Sequence, residues 1–204
     1  MHIAIAGNIG SGKTTLTRLL AEHYGWEPRF EAVDHNPYLD DYYRDIDRWS
    51  FNMEVFFLKE RFKDILQIAR SEKPIIQDRS IYEGVYIFTA NNYASGNLSD
   101  RDFETYMALF EQMMEVVKLP DLMIYLRADV PYLVQNIQHR NRQCEQQMPI
   151  DYLASLNARY EEFIQSQYKG RVIILDKAEY DFHQPDHMLR IYDKIDAALG
   201  KGIF

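Results

Sequence analysis

The sequence predicts an α/β fold, a five-stranded parallel sheet with helices on both faces. Three observations lead there. Short apolar runs alternate with helical patterns along the 204 residues. The first run, Ile3-Ala4-Ile5-Ala6, leads straight into Gly7-Asn8-Ile9-Gly10-Ser11-Gly12-Lys13-Thr14-Thr15. A later run, Pro74-Ile75-Ile76-Gln77-Asp78, ends on an acid, the form of a Walker B strand.

Composition fits one globular domain spanning 1–204: 47% of residues are apolar and 26% charged, which excludes disordered and fibrous classes. A net charge of −8 argues against a nucleic-acid polymer or an anionic membrane as the main partner. The one cysteine, Cys144, has no internal disulfide partner, and no apolar run approaches a membrane span. With the glycine-rich loop beginning at residue 7, no leader is expected, and the cytoplasm is the expected compartment.

Residues 7–15 match GxxxxGK[ST] at every required position, between a strand and the helical pattern Leu16, Leu19, Leu20. Glycines let the backbone turn until its N–H groups converge on phosphate oxygens. Lys13 can reach the outer phosphates, Thr14 offers a hydroxyl to Mg²⁺, and the helix dipole adds positive potential. The loop is expected to bind a nucleoside triphosphate.

Next, the extended segment Trp26 to Val33 carries Glu31 near its end, either an exposed acid or a group aimed at chemistry, since strand ends carry the sites of parallel sheets. Asp34 to Asp47 reads as an irregular connection holding Tyr42 and Tyr43. From Phe51, the residues Val55, Leu58, Phe62, Ile65 and Ala69 recur at helical spacing as a buried stripe. Glu54, Phe57 and Arg61 share a neighbouring face, as a solvated ion pair or a binding surface. The strand ending at Asp78, a candidate Mg²⁺ ligand with Thr14, is followed by Arg79-Ser80 at a helix start, and Gly84 and Phe88 share a face of that helix.

After Gly96, a helix from Ser99 sets Phe103, Met107, Phe110, Met114 and Val117 in one row, either core or a helix-packed dimer surface. Leu122 to Leu126 is a strand and Val130 to His139 a helix. Arg140 and Arg142, in a polar segment, are what a lid over phosphates at about 139–148 needs, because guanidinium pairs bidentately with phosphoryl oxygens; a solvated turn is the alternative. Pro149 precedes a helix marked by Leu153, Leu156, Tyr160 and Phe163. Val172 to Leu175 is the fifth strand and Met188 to Leu199 the closing helix. His183 and His187 stand four apart without an evident third ligand, so no metal site is expected there.

Neither NKxD nor DxxG occurs, which weakens a GTPase reading. The ordered set of phosphate loop, Glu31, Trp49-Ser50-Phe51, Asp78-Arg79-Ser80, Arg140-x-Arg142 and Glu145-Gln146 resembles the deoxynucleoside kinase family over nearly the whole chain. The wider sequence is most similar to bacterial deoxyadenosine and deoxyguanosine kinases. The resemblance implies a P-loop kinase fold with an arginine-bearing lid, ATP as donor with Mg²⁺, a small-molecule deoxynucleoside as acceptor, and a homodimer. It implies Glu31 as general base for the 5′-hydroxyl and Arg79 at the 5′-oxygen and the transferring phosphoryl group. Lys13, Arg140 and Arg142 would lie on the nucleotide phosphates, and Tyr43 and Glu145 on the sugar 3′-hydroxyl.

The base pocket departs from the family pattern. Phe88 matches the stacking aromatic and Arg61 a base-contacting arginine, but Glu54 replaces the usual Gln, and Gly84 stands where an Asp braces the arginine in deoxycytidine and deoxyguanosine kinases. A carboxylate only accepts, so Glu54 is expected to face a donor: guanine N1–H and amine, or an adenine or cytosine amine. Room at Gly84 is expected to admit a larger ring. Both favour a purine. The alternatives are a thymidylate-like monophosphate kinase, a pyrimidine deoxynucleoside kinase, and a nucleotide-binding regulator without chemistry.

Overall fold

A computed structural model of the chain describes residues 1–31, 36–140 and 148–200. Strands β1 (His2–Gly7), β2 (Glu27–Arg29), β3 (Ile75–Asp78), β4 (Leu122–Arg127) and β5 (Val172–Asp176) form a parallel sheet in the order β2-β3-β1-β4-β5. The chain builds one half of the sheet, then crosses β1 to build the other. That puts the switch in strand order at the carboxyl ends of β1 and β3, where α/β sheets place ligands.

The alternation of side chains along each strand divides the core in two. Ile3, Ile5, Leu122, Ile124 and Leu126 pack under α1 (Lys13–Tyr24) and the final helix through Leu16, Leu20, Met188, Ile191 and Ile195. Ala6, Met123 and Tyr125 point the other way, against Leu58, Ile81, Tyr106, Phe110, Leu156, Tyr160 and Phe163. Helices therefore cover both faces, as expected.

Two local expectations are corrected. The connection expected to be irregular up to Asp47 contains α2 (Leu39–Arg44), and α3 (Ile46–Arg70), expected after Asp47, begins two residues inside it. Asp45 caps it by accepting from the Arg48 N–H at 3.2 Å, a signal in the sequence that the density of Asp and Tyr obscured. The buried face of α3 is also rotated from the expected stripe. It holds Met53, Glu54, Leu58, Arg61, Ile65 and Ile68, while Phe51, Val55 and Phe62 are half-buried and Ala69 is exposed. Two ionisable residues thus face inward, because their partners arrive from distant segments.

After β3, α4 (Ile81–Glu83) runs through a π-helical stretch, Gly84–Thr89, into α5 (Ala90–Ala94). Such widened turns concentrate at functional sites. The remaining helices are α6 (Asp100–Met114), α7 (Val130–Arg140), α8 (Ile150–Glu162), which continues into a second π-helical turn, Phe163–Gln167, and α9 (Pro185–Leu199). Leu156 of α8 is fully buried against the sheet. Leu156→Ala should lower unfolding free energy by about 2–5 kcal/mol, read by urea denaturation, the range for a truncated core leucine.

Candidate active site

The glycine-rich loop is anchored before it cradles anything. The Gly7 N–H donates to Glu83 Oε1 at 3.2 Å, and the Gly7 carbonyl lies 2.8 Å from the Tyr160 hydroxyl. Asn8 Nδ2 donates to the Leu153 carbonyl at 3.0 Å and to Asn157 Oδ1 at 2.6 Å, while its Oδ1 accepts from the Ile9 N–H. Gly7 and Asn8 stand in the stretch expected to bind nucleotide; the Gly7 backbone and the Asn8 side chain tie that loop to α4 and α8. Gly10, at φ 83°, has no room for a side chain: a Cβ there would sit 2.7 Å from the Leu133 carbonyl oxygen.

The cradle itself is the turn into α1. Its N-cap, Gly12 at φ 93°, supplies no side-chain cap, so the first N–H groups of α1 stay open toward an anion. Ser11 is buried with no partner for its hydroxyl, and Thr15 is exposed. Lys13 Nζ donates to the Asn8 carbonyl at 2.9 Å; burial, reinforced by Arg79, pulls its pKa down to about 8. Thr14 Oγ1 donates to Asp78 Oδ2 at 2.6 Å. Two oxygen ligands side by side beside an open helix end suit Mg²⁺ and the phosphates it bridges.

Glu31 shares one cavity of about 320 Å³ with Lys13, Thr14, Asp78 and Arg79, and its side chain is 18% exposed. It does not point away from the loop, the placement that would have removed it from the site. Arg79 Nε donates to Glu31 Oε2 at 3.0 Å, and Arg61 Nη2 pairs with Oε1. Burial opposes ionisation of Glu31, but the charges of Arg79 and Arg61 outweigh it and bring its pKa down to about 2. Glu31 is anionic across the working range.

Arg79 is the only non-glycine residue at positive φ among the described residues, at 71°. Its guanidinium also donates to the Tyr160 hydroxyl at 2.9 Å and to Glu83 Oε1 at 3.4 Å, and lies 4.6 Å above the Phe88 ring. Glu83 is fully buried and its Oε2 accepts from the Ser80 N–H at 2.7 Å. Sequence reading missed Glu83 and Tyr160. For Glu83 a signal was present, since Ser80-x-x-Glu83 is a capping box; for Tyr160, read only as core, there was none.

The far end of the cavity is lined by Tyr42, Tyr43, Met53, Glu54, Phe57, Arg61, Phe88 and Tyr152. Tyr43 is 40% exposed at the rim, and Arg140, at the end of α7, also borders the cavity. Arg142, Cys144 and Glu145 lie outside the described residues. The room expected at Gly84 is taken by the protein itself: a Cβ there would meet Arg61 Nη1 at 2.3 Å. Without an aspartate to brace it, Arg61 crosses to Glu31, and its Nε and Nη1 have no partner.

Glu54 is neither solvated nor a plain anion. It is 1% exposed, its Oε2 accepts from Thr89 Oγ1 at 2.9 Å and its Oε1 from Asn92 Nδ2 at 2.8 Å. Burial pushes its pKa up to about 7 against the opposing charge of Arg61, so the expectation that it only accepts holds for one of its two protonation states. A carboxyl whose folded pKa is raised contributes stability fully present below the ordinary value of 4.5 and lost as pH rises through 7. Glu54→Gln should flatten that loss, on the order of 1 kcal/mol per pH step, in urea denaturation series from acid to neutral pH.

The deoxynucleoside kinase family model matches residues 3–199. The chain is 37% identical over 200 residues to the deoxyadenosine/deoxycytidine kinase of Bacillus subtilis (strain 168), covering 97% of this chain and 92% of that protein. It is 35% identical over 188 residues to the deoxyguanosine kinase of the same organism, with 88% of each chain covered. The structure of deoxyadenosine kinase from M. mycoides with bound dATP superposes with a TM-score of 0.85 at 32% identity, covering 96% of this chain and 100% of that one. With its cradle, Asp78-Arg79 pair and enclosed carboxylates in place, this chain belongs to the deoxynucleoside kinase family.

Proposed function

We propose that this kinase transfers the γ-phosphate of ATP to the 5′-hydroxyl of a purine deoxynucleoside, in nucleotide salvage. The observation that carries the reading is the placement of the Glu31 carboxylate in one cavity with Lys13, Thr14, Asp78 and Arg79. An alcohol seated there has an anionic oxygen on one side and the phosphate cradle on the other.

The proton of the 5′-hydroxyl passes to Glu31. A carboxylate held near pKa 2 is a weak base, but in phosphoryl transfer the bond to the leaving oxygen is largely broken before the attacking hydroxyl must release its proton. Aim therefore matters more than basicity. Arg79, fixed by Glu31, Glu83 and Tyr160, presents its guanidinium to the attacking oxygen and the transferring phosphoryl group. Lys13 and the open N–H groups at the start of α1 hold the outer phosphates, and Arg140 and Arg142 close over them. Thr14 and Asp78 would hold Mg²⁺, which neutralises phosphate charge when bound.

The far end of the cavity takes the nucleoside. Phe88 stacks on the base, Glu54 and Arg61 meet its edge, and Tyr43 and Glu145 meet the 3′-hydroxyl. Aromatic walls and one buried carboxyl suit a neutral nucleoside better than a monophosphate, whose own phosphate would need a further basic cluster. The functional unit is the whole chain, 1–204, with a lid at about 139–148, acting in the cytoplasm as a homodimer. Half-buried Phe51, Val55, Phe62, Met107 and Met114, beside exposed Leu109 and Val116, support pairing through α3 and α6.

Glu31→Gln should reduce kcat on deoxyadenosine and deoxyguanosine by at least about 100-fold while ATP binding, followed by calorimetry, is retained. An unchanged kcat would refute the proposal. Phosphorylation of a nucleoside monophosphate but not of the nucleoside would favour the monophosphate kinase, and thymidine as best substrate would refute the purine preference.

A further inference from the structure

The Glu54 carboxyl is held in a fixed orientation by the Asn92 amide, which can only donate to Oε1, and by the Thr89 hydroxyl, which donates to Oε2 and can also accept. The Asn92 Oδ1 accepts from the Tyr42 hydroxyl at 3.2 Å and from Asn97 Nδ2 at 3.3 Å, which turns the Asn92 amide so that its NH₂ faces Glu54. Thr89 supplies a hydroxyl to the other oxygen. Glu54, Thr89 and Asn92 are each at most 1% exposed, so no solvent competes for these positions. Glu54 lines the cavity, and each of its oxygens keeps a lone pair beyond the bond just described. Asn92 keeps Oε1 an acceptor, so a proton added to this carboxyl goes to Oε2, whose Thr89 partner can accept as well as donate.

We propose that Glu54 selects between guanine and adenine by its protonation state, taking guanine as the anion and adenine as the neutral acid. This deepens the purine-kinase reading and rests on it. The Watson–Crick edge of guanine presents two adjacent donors, N1–H and N2–H, which a carboxylate accepts as a pair. Adenine presents a donor, N6–H, beside a bare acceptor, N1. The anion gains one hydrogen bond there and sets a lone pair against N1, whereas the neutral acid accepts from N6–H and donates to N1, as a glutamine would. A buried acceptor left facing an acceptor is costly, which makes the discrimination steep.

The surroundings of Glu54 let its own ionisation set the outcome. Across the cavity, Arg61 on the same helix and Glu31 at the end of the β2 segment are the charged groups that act on it, and these two pair with each other. Tyr42 from α2, Tyr106 from α6 and Tyr152 from α8 also face it; burial raises all three phenols far above neutrality, so they remain neutral throughout. Thr89 and Asn92 do not titrate. Glu54, with its pKa near 7, is thus the group at the base end of the cavity that changes charge in the neutral range, while Lys13, at about 8, stands at the phosphate end, where it acts on both substrates alike.

The test is the ratio of kcat/KM for deoxyguanosine to that for deoxyadenosine, measured from about pH 6 to 8, where neither base titrates. Ionisations that affect both substrates equally cancel in the ratio, and kcat/KM reports the free enzyme. Over that interval a group titrating near neutrality goes from about one-tenth to nine-tenths ionised, so the ratio should rise at least about tenfold, toward about a hundredfold if each base takes one state only. In Glu54→Gln, which keeps the shape and the donor–acceptor pair of the neutral acid, the ratio should favour deoxyadenosine and vary less than about twofold with pH. A flat ratio in the unmodified enzyme overturns the inference while leaving the kinase reading intact, and so does a pH dependence that survives in Glu54→Gln. Failure to phosphorylate either nucleoside at any pH overturns both.

Discussion

The buried guanidinium of Arg79 is the interaction on which the site depends. Its backbone stands at φ 71°, where a side chain costs about 1–2 kcal/mol, and the conformation persists because two carboxylates and a phenol hold the side chain. Through those contacts, the carboxyl end of β3 is joined to Glu31 after β2, to α4 through Glu83 and to α8 through Tyr160. Tyr160 and Glu83 in turn hold Gly7 at the root of the phosphate loop. The root of the phosphate loop, Glu31 and, through Phe88, the far end of the cavity meet at one hub, as the proposed transfer between two bound molecules requires.

The same hub explains how an acidic protein of net charge −8 receives a polyphosphate. Lys13, Arg61 and Arg79 are buried beside Asp78, Glu83 and the partly exposed Glu31, whose charges offset part of the cost of desolvating each cation. The potential that matters is local. Burial and the neighbouring Arg79 pull the pKa of Lys13 down to about 8, and in the proposed complex phosphate oxygens would favour its charged form.

How much of this was legible in the sequence depends on whether the physics was local. The phosphate loop and the Walker-type strand could be read because tight turns, helix N-termini and a strand-end acid need particular residues at fixed short spacing, and Asp78 does meet Thr14 at 2.6 Å. The sheet followed from alternating apolar runs. The inward face of α3 was misjudged for the opposite reason. Glu54 and Arg61 look like a solvated pair on a helical wheel, and only Thr89, Asn92 and Glu31, from 30 or more positions away, make their burial tolerable.

The sequence by itself determined the fold class, the place of the phosphate loop and the acids and arginines available to a kinase, since backbone chemistry and hydrophobic periodicity act over a few residues. Tertiary structure decided what those groups face. It filled the gap at Gly84 with Arg61, turned that arginine onto Glu31, and buried Glu54 among fixed donors where its charge is set by desolvation. Burial and long-range pairing govern charge and hydrogen-bond direction, and neither is encoded by spacing along the chain.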